Sequence, residues 1–229
     1  MYYYSSEKVI KDLINHGFTK LPSIRSIVQK NKYFEIFKNE SVVKTYKENS
    51  LAHLKLIEDM DLKKLFKALY NHGKDLSLSI NEKDHYFISR FVRNGQTNEG
   101  FKGHFDSHFI TIVLPVLIPQ NKQQYNCGEL LAAPKIRGNT SSEIINILQK
   151  AYFKKFNSKE KFIELIRKGK AITFNFNDYE PLIFYGNRTF HGNFPLIGGT
   201  SDRLTFLCHL YDTSPSYGIG TILRKIRRR

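Results

Sequence analysis

The sequence predicts a mainly β fold, a sandwich or barrel, with helices before it and a helical insertion within it. Two observations carry this prediction. Residues 1–80 repeat apolar side chains at helical spacing, whereas later segments are short, rich in β-branched and aromatic residues, and separated by Gly, Asn and Asp turns. The chain has 229 residues, of which 41% are hydrophobic, enough for one well-packed core. We therefore expect a single domain over residues 1–229.

Three amphipathic helices are predicted within residues 1–80. The first, SSEKVIKDLINHG, has four apolar residues at helical spacing and a C-terminal glycine, Gly17. The segments IRSIVQKNKYFEIFKN and LAHLKLIEDMDLKKLFKALYNHG predict two more helices, the second ending at Gly73. Between the first two helices, FTKLPSI predicts a short edge strand.

Six segments predict the strands of a β core in residues 81–215: HYFISRFV, FITIVLPVLI, CGELLAAP, AITFNF, PLIFYG and RLTFLCHLYD. A helical insertion over residues 140–168 interrupts them. Thr140 and Glu143 predict a capping box at its start, and Asn157 with Glu160 predicts a second helix start.

The charge of the chain favours an anionic partner. Its net charge is +15, from 36 basic and 21 acidic residues, which suits nucleic acid, a phospholipid surface or an acidic substrate. A lysine-rich composition alone gives the same excess without any partner. Residues 216–229 form a basic tail, which is either solvated or contacts an anionic membrane surface through its last residues; these are Arg224, Lys225, Arg227, Arg228 and Arg229.

The cysteine content and apolar runs indicate a cytoplasmic protein, at most peripheral to the inner face of a membrane. Cys127 and Cys208 cannot form a disulfide framework, and the N-terminus has no continuous apolar segment. The longest apolar run, Phe109 to Ile118, has ten residues. A membrane-spanning helix needs about twenty, so none is expected.

Polar residues precede the second predicted strand of the β core, in GHFDSH. His104 and Asp106 are two positions apart, so on an extended backbone they leave the same face. A second histidine from elsewhere, such as His191 in RTFHGNFPL, completes a 2-His-1-carboxylate set. That set binds non-haem Fe(II) and leaves positions open for other ligands.

The last predicted strand carries a second polar group. Alternation along RLTFLCHLYD places Arg203, Thr205, Leu207 and His209 on one face. A guanidinium and a hydroxyl on one face suit a carboxylate, which the guanidinium binds through charge-assisted hydrogen bonds.

The order of these motifs resembles the Fe(II)/2-oxoglutarate-dependent dioxygenases over roughly Tyr86 to Asp212. An H-x-D motif on a strand, a distant histidine and a basic residue some ten positions later are all present. CGELLAAP, GFTKLPSI and RLT are also similar to segments of the prolyl-hydroxylase-like and phytanoyl-CoA-hydroxylase-like branches. The resemblance implies a double-stranded β-helix, which is a distorted jelly roll, with flanking helices.

The resemblance also implies roles for individual residues. It makes His104, Asp106 and His191 the ligands of Fe(II). It pairs Arg203 and Thr205 with the C5 carboxylate of 2-oxoglutarate. The implied reaction consumes 2-oxoglutarate and O2, hydroxylates an organic substrate, and releases succinate and CO2.

Two cosubstrate contacts are less firmly placed by the resemblance. Thr111 stands where many relatives have a further contact to the cosubstrate. Phe91 stands where prolyl-hydroxylase-like enzymes often have a cosubstrate-binding tyrosine, so the partner of the C1 carboxylate stays open between Arg90 and Tyr86.

Other interpretations of the motifs remain open at this stage. His108 shares a face with His104 and Asp106 on a straight strand, and the three could bind Zn²⁺ for hydrolysis. This interpretation leaves Arg203 and Thr205 without a role, so we expect His108 at the rim of the site. His209 is expected to be an interior histidine with its hydrogen bonds satisfied.

The substrate is expected to be anionic: a small acid, an acidic sugar or a lipid-linked molecule. A protein side chain is the second substrate class. A basic nucleic-acid-binding protein is less favoured, since the related dioxygenases that repair alkylated bases carry a second arginine six residues after the cosubstrate arginine. In this sequence that position is His209.

Overall fold

The structure is a computed structural model, and it describes residues 3–31, 45–47, 51–119, 125–138, 143–197 and 200–213. Four helices lie in the N-terminal part and two lie in the insertion: α1 Ser6–His16, α2 Arg25–Asn31, α3 Leu51–Asp59, α4 Leu62–Asp75, α5 Glu143–Phe153 and α6 Lys159–Arg167. Among the helices of these ranges, none has the length and apolar character needed to cross a bilayer.

Within the described ranges, nine strands form two sheets in which every pair of neighbours is antiparallel: β1 Phe18–Lys20, β2 Thr45–Lys47, β3 His85–Val92, β4 His108–Leu117, β5 Leu130–Ala133, β6 Ile172–Phe174, β7 Leu182–Tyr185, β8 Phe190–Asn193 and β9 Arg203–Asp212. The large sheet has the order β1-β7-β4-β9-β3-β2, and the small sheet has the order β6-β5-β8. Two facing antiparallel sheets with helices outside them confirm the predicted jelly-roll class.

Alternation along the central strands gives the large sheet two different faces. On β9, one set of alternate residues packs against the helices: Leu204, Phe206, Cys208 and Leu210. The other set lines a cavity between the sheets, as the sequence predicted: Arg203, Thr205, Leu207 and His209. The helical face of this sheet is therefore a hydrophobic core, and its inner face is free to carry polar groups.

Three hydrophobic clusters hold the layers together. The largest joins α1–α4 to the outer face of the large sheet, through residues such as Leu65 and Phe206. The second lies between the two sheets, where Val113 faces Leu130 and its neighbours. The third packs α6 on the small sheet, through Phe162 against its surroundings on β5 and β8. The inner cavity is thus enclosed by packed elements on both sides.

The N-terminal helices correct the sequence prediction in one place. Residues 51–73 were expected to form one helix ending at Gly73, but α3 and α4 are separated by a turn at Asp61, whose φ is 49°. The turn is stabilised where the Tyr4 hydroxyl donates to the Asp61 carbonyl oxygen at 2.6 Å. Helix α4 continues past Gly73 to Asp75. Glycine is needed at position 73 because a Cβ there would meet Ile80 at 2.5 Å. Gly73 is a packing position and not a helix end.

Of the other predicted boundaries, some agree with the structure and some do not. Helix α1 and its left-handed cap at Gly17 are confirmed, as is the edge strand β1. Helix α6 is capped by Ser158, whose hydroxyl accepts from the Lys161 amide at 3.3 Å, so the expected start at Asn157 is wrong. Strand β8 was not predicted. Thr140, residues 32–44 and the basic tail lie outside the described residues.

Burial of His53 between α3 and the large sheet makes stability depend on pH. Its ring centroid lies 4.1 Å from that of Phe206, and burial lowers the pKa of His53 to about 4, although a hydrogen bond from the imidazole to the Ile88 backbone acts in the opposite direction. The unfolded chain, with an ordinary histidine pKa of 6.5, therefore binds the proton first as pH falls. Stability from this residue is complete above pH 6.5 and is lost towards pH 4.

We expect His53 to contribute roughly 2–3 kcal/mol to the loss of unfolding free energy between pH 7 and pH 4.5. Urea unfolding at the two pH values measures this loss, and His53→Phe should reduce it. His16→Phe, at an exposed position, is the matched control and should keep the wild-type pH dependence. An equal loss of unfolding free energy in all three proteins would contradict the role given to His53.

Candidate metal centre

A cavity of about 350 Å³ lies between the two sheets. Its floor is formed by the inward residues of β3, β9 and β4, and its other walls include Leu130 and Phe176. Strand β9 lies between β4 and β3, so its inward residues Thr205, Leu207 and His209 each have a neighbour on both sides. Thr111 and Tyr86 flank His209, while Arg90 is opposite Thr205. The cavity therefore has two polar ends, separated by the row that contains Leu207.

At one end, the structure brings together His104, Asp106 and His191. Their donor atoms lie within 4.8 Å of one another, and they are the cluster of this kind that occurs in the described ranges. His104 Nε2 is 3.6 Å from Asp106 Oδ1, and His191 Nε2 is 3.5 Å from Asp106 Oδ2. Two ligands bound at about 2.1 Å to one ion lie at most about 4 Å apart, so both distances fit a shared metal ion.

The backbone places the two histidines side by side. His104 and His191 form an isolated antiparallel bridge, in which each amide donates to the other's carbonyl oxygen, at 2.8 and 3.0 Å. Gly103 permits this approach, because a Cβ there would clash with the Phe190 ring. The Gly103 amide donates to Asn157 Oδ1 at 3.0 Å, which ties the segment to the start of α6. These hydrogen bonds fix the position of residues 103–106, although they do not belong to a strand.

Hydrogen bonds on the far side of each ring determine which nitrogen can bind a metal. Nδ1 of His104 is 3.0 Å from the Lys102 carbonyl oxygen, and Nδ1 of His191 is 3.0 Å from that of Thr189. Since a carbonyl oxygen only accepts, each Nδ1 carries the proton. In a neutral ring, Nε2 then presents its lone pair towards Asp106, as a metal-binding histidine requires. The donor set and its tautomers therefore fit a divalent metal.

The charge states at this end also suit a cation. Burial lowers the pKa of His191 to about 4, so its ring is neutral at physiological pH. Burial alone would raise the pKa of Asp106, but the neighbouring imidazoles of His191, His209 and His104 hold it well below its usual value. The carboxylate is ionised, and the site carries one buried negative charge for a metal to neutralise.

Thr111 and His209 hold Asp106 from behind. The Thr111 hydroxyl donates to Asp106 Oδ2 at 2.5 Å, and its oxygen is 3.1 Å from His209 Nδ1. A hydroxyl has one proton, so His209 Nδ1 must be the donor in the second bond. His209 is interior as predicted, but it is part of the support of Asp106. The structure places the Thr111 hydroxyl against this carboxylate.

At the opposite end, Arg203 is buried at the start of β9. Its Nη1 donates to the Gly128 carbonyl oxygen, and its Nε has no hydrogen-bond partner among the described residues. Burial and, to a smaller extent, the charge of Arg90 lower the pKa of Arg203 to about 9, while Glu99 and Glu129 oppose this shift. The guanidinium is still charged at neutral pH. A buried cation with an unsatisfied N–H is suited to an anionic ligand.

The loop that contacts Arg203 has its own support, which sequence reasoning missed. Gly128 has φ +69°, and a Cβ there would meet Arg203 Nη1 at 2.5 Å. The Glu129 carboxylate accepts from the amides of Tyr125 and Cys127 at 2.7 and 3.0 Å. The glycine–glutamate pair of CGELLAAP was the available signal, but its contacts are long-range and appear only in the fold.

Arg90, one of the two residues considered for the C1 carboxylate, is already paired. Its Nη2 donates to Glu99 Oε2 at 2.8 Å, and Lys102 contacts the other oxygen of Glu99 at 2.9 Å. Tyr86 stacks on His108 and His209, with centroids 6.1 and 5.9 Å apart. By register, Tyr86 belongs to the metal end of the cavity and Arg90 to the Arg203 end.

His108 lines the cavity beside the metal ligands. Its Nδ1 is 3.2 Å from the Ser107 hydroxyl, and its Nε2 is buried without a hydrogen-bond partner in the part of the chain that the structure describes. Burial lowers its pKa to about 4. It does not join the cluster formed by His104, Asp106 and His191. The zinc site proposed from H-x-D-x-H therefore has no support in the arrangement of these side chains.

No family model matches the sequence, and no curated protein matches it. Solved structures do match. EvdO2 from Micromonospora carbonacea var. aurantiaca has a TM-score of 0.54 at 13% identity, covering 96% of this chain and 95% of that one. A Pseudomonas putida prolyl-4-hydroxylase has a TM-score of 0.52 at 13% identity, covering 92% and 100%. HygX from Streptomyces hygroscopicus, with nickel and 2-oxoglutarate bound, has a TM-score of 0.50 at 10% identity, covering 91% and 87%.

These likenesses establish the fold. EvdO2 has also been solved in complex with 2-oxoglutarate, and it matches this chain with a TM-score of 0.53. The chain has the fold that a prolyl-4-hydroxylase and 2-oxoglutarate-binding proteins share. The double-stranded β-helix expected from the motifs is therefore confirmed, and so is the family resemblance at the level of fold.

The support of Asp106 gives a test. Thr111→Val removes the hydroxyl that bonds Asp106 and His209, so we expect metal affinity to fall by about 10–100-fold, as for other residues that orient a ligand. Titration with Mn²⁺ measures this, and Thr111→Ser should restore most of the affinity. Unchanged metal affinity with weakened 2-oxoglutarate binding would instead support the direct cosubstrate contact that the sequence predicted for Thr111.

Proposed function

We propose that this protein is an Fe(II)- and 2-oxoglutarate-dependent oxygenase that hydroxylates an organic substrate and releases succinate and CO2. The observation that carries the proposal is the pairing of two sites in one cavity. His104, Asp106 and His191 converge at one end, and Arg203 with its unsatisfied Nε lies at the other. Bound Fe(II) would supply the oxidative chemistry that couples decarboxylation of 2-oxoglutarate by O2 to substrate hydroxylation.

In this proposal the protein residues bind the metal, orient its ligands and neutralise part of its charge. Nε2 of His104, Nε2 of His191 and the Asp106 carboxylate hold the metal. A carboxylate and two neutral imidazoles leave one positive charge on a divalent ion, which favours chelation by the anionic cosubstrate. Thr111 and His209 keep Asp106 in place. The enclosed position between two sheets limits the access of water to the reacting atoms.

The two polar ends of the cavity suit the two ends of a dicarboxylate such as 2-oxoglutarate, with the metal at one end and a guanidinium at the other. Arg203 would bind the C5 carboxylate through its unsatisfied Nε, and the Thr205 hydroxyl, on the same face, would donate to the same carboxylate.

For the C1 carboxylate, we favour Tyr86 over Arg90. Tyr86 lies opposite His209, in the row nearest the metal ligands, whereas Arg90 lies opposite Thr205. Arg90 is also neutralised by Glu99 at 2.8 Å. Its position therefore suits a supporting role for the Arg203 end of the cavity.

The substrate is proposed to be anionic, as a small acid, an acidic sugar or a lipid-linked molecule. The net charge of +15 supports this, since a basic surface raises the local concentration of anions. In the cavity, Asp106 is committed to the metal and Glu99 to Arg90 and Lys102. No further carboxylate lines the described cavity wall, so an anionic substrate meets little repulsion there.

The reaction class is tested by succinate formation from 2-oxoglutarate with Fe(II), with and without candidate anionic substrates. We expect His104→Ala to abolish it, because one of three ligands is lost. Arg203→Gln should raise the KM for 2-oxoglutarate by about 30-fold or more, since a buried charge-assisted contact is removed.

His16→Ala and Arg25→Gln, at exposed positions away from the cavity, are the matched controls and should behave like the wild type. The proposal fails if the wild type neither binds Fe(II) nor consumes 2-oxoglutarate under any of these conditions.

A further inference from the structure

Helix α5 exposes apolar residues and turns polar residues towards the protein, the reverse of a usual surface helix. Its polar residues Asn146 and Gln149 face the protein, where their side-chain oxygens accept from Arg137 Nη1 at 3.0 and 3.3 Å. Its apolar residues Ile147, Leu148 and Tyr152 face outward and are 55%, 62% and 55% exposed. A surface helix normally buries its apolar stripe and exposes its polar face. The reversed arrangement therefore needs a physical cause.

The orientation of α5 is fixed by contacts on its inner side. Arg137 is held in place by its Nε, which donates to the Asn187 carbonyl oxygen at 2.7 Å, and by the Phe105 ring 3.8 Å below its guanidinium. At the end of the helix, Phe153 packs on Phe105 and Phe190, with centroids 4.9 and 5.4 Å apart. Rotation of the helix would break both sets of contacts. The apolar face is thus held towards solvent by the fold itself.

Basic residues border this apolar face. Residues 143–170 contain eight Lys or Arg and three Glu, so 8 − 3 gives a net charge of +5 for the segment. Lys154 and Lys155 directly follow the helix and are exposed. Lys155 Nζ lies 3.5 Å from the centre of the Tyr152 ring. A hydrogen bond from Lys155 and the nearby charge of Lys170 lower the pKa of Tyr152, which shows that both cations lie close to this ring.

We propose that α5 docks on an anionic phospholipid surface. Ile147, Leu148 and Tyr152 would enter the boundary between headgroups and acyl chains, and Lys154 and Lys155 would pair with headgroup phosphates. Exposed aliphatic residues, a tyrosine and flanking lysines are the composition of helices that lie in the membrane interface. The charge complementarity favours anionic over neutral lipid. This proposal does not depend on the proposed oxygenase activity.

Docking through α5 would also bring the metal centre close to the lipid surface. Phe153 contacts Phe105, which lies between His104 and Asp106 in the chain, and Phe190, which precedes His191. Just beyond the helix, Asn157 accepts from the Gly103 amide. The same packing that orients α5 therefore supports the ligand-bearing segments. If the oxygenase proposal also holds, a lipid-linked substrate could reach the cavity from the membrane surface.

The test is co-sedimentation of the full chain with vesicles of phosphatidylcholine alone or with phosphatidylserine added. We expect binding to the anionic vesicles. Leu148→Glu should weaken it by at least about tenfold, since a charge would replace a leucine that enters the lipid surface. Lys154→Glu with Lys155→Glu should weaken it as well, and added salt should reduce the effect of that pair.

Leu76→Glu is the matched control, because it makes the same charge change at an apolar residue that is 41% exposed elsewhere. It should bind like the wild type, which separates docking through α5 from attraction by the overall charge. Equal binding by Leu148→Glu and Leu76→Glu overturns the proposal, as does the absence of wild-type binding. A self-association that Leu148→Glu abolishes, with vesicle binding unchanged, would assign the face to a second copy of the chain and also overturn it.

Discussion

The candidate metal centre depends on the pair of backbone hydrogen bonds between His104 and His191. These two residues come from segments 87 positions apart (191 − 104) and belong to an isolated bridge. The bridge brings the rings to a centroid distance of 4.5 Å, and the carbonyl groups of Lys102 and Thr189 orient each Nε2 towards Asp106. Small residues make the approach possible, since a Cβ added at Gly192 would lie 3.0 Å from the Gly103 backbone. Backbone geometry thus determines the tautomer and the direction of both imidazoles.

The cavity follows from the same sheet that forms the core. Alternation on β9 gives one face to the helices and the other to polar residues, so a single strand contributes to both stability and the site. Burial of Arg203 opposes its charge, and the Gly128 carbonyl with the carboxylates of Glu99 and Glu129 offsets part of that cost. Among the described residues, Nε of Arg203 has no hydrogen-bond partner, and an anionic ligand would supply one.

The sequence predicted those features that depend on local pattern. Alternation predicted the inward face of β9, and the H-x-D spacing with a later histidine predicted three side chains that the fold brings together. It could not predict contacts between distant segments, such as the Gly103 amide on Asn157 or the Gly128 carbonyl on Arg203. The break at Asp61 was missed because residues 51–73 have continuous helical periodicity, and Gly73 was misread because its role is close packing. The reversed orientation of α5 likewise depends on Arg137, which lies outside that helix.

The most direct test of this account is an anaerobic crystal structure with Mn²⁺ and 2-oxoglutarate. We expect the metal on Nε2 of His104, Nε2 of His191 and the Asp106 carboxylate, with the C5 carboxylate of 2-oxoglutarate on Arg203 and Thr205. His108 should not contact the metal, whether or not 2-oxoglutarate is bound. A metal bound by His104, Asp106 and His108, or a 2-oxoglutarate carboxylate bound away from Arg203, would contradict the account.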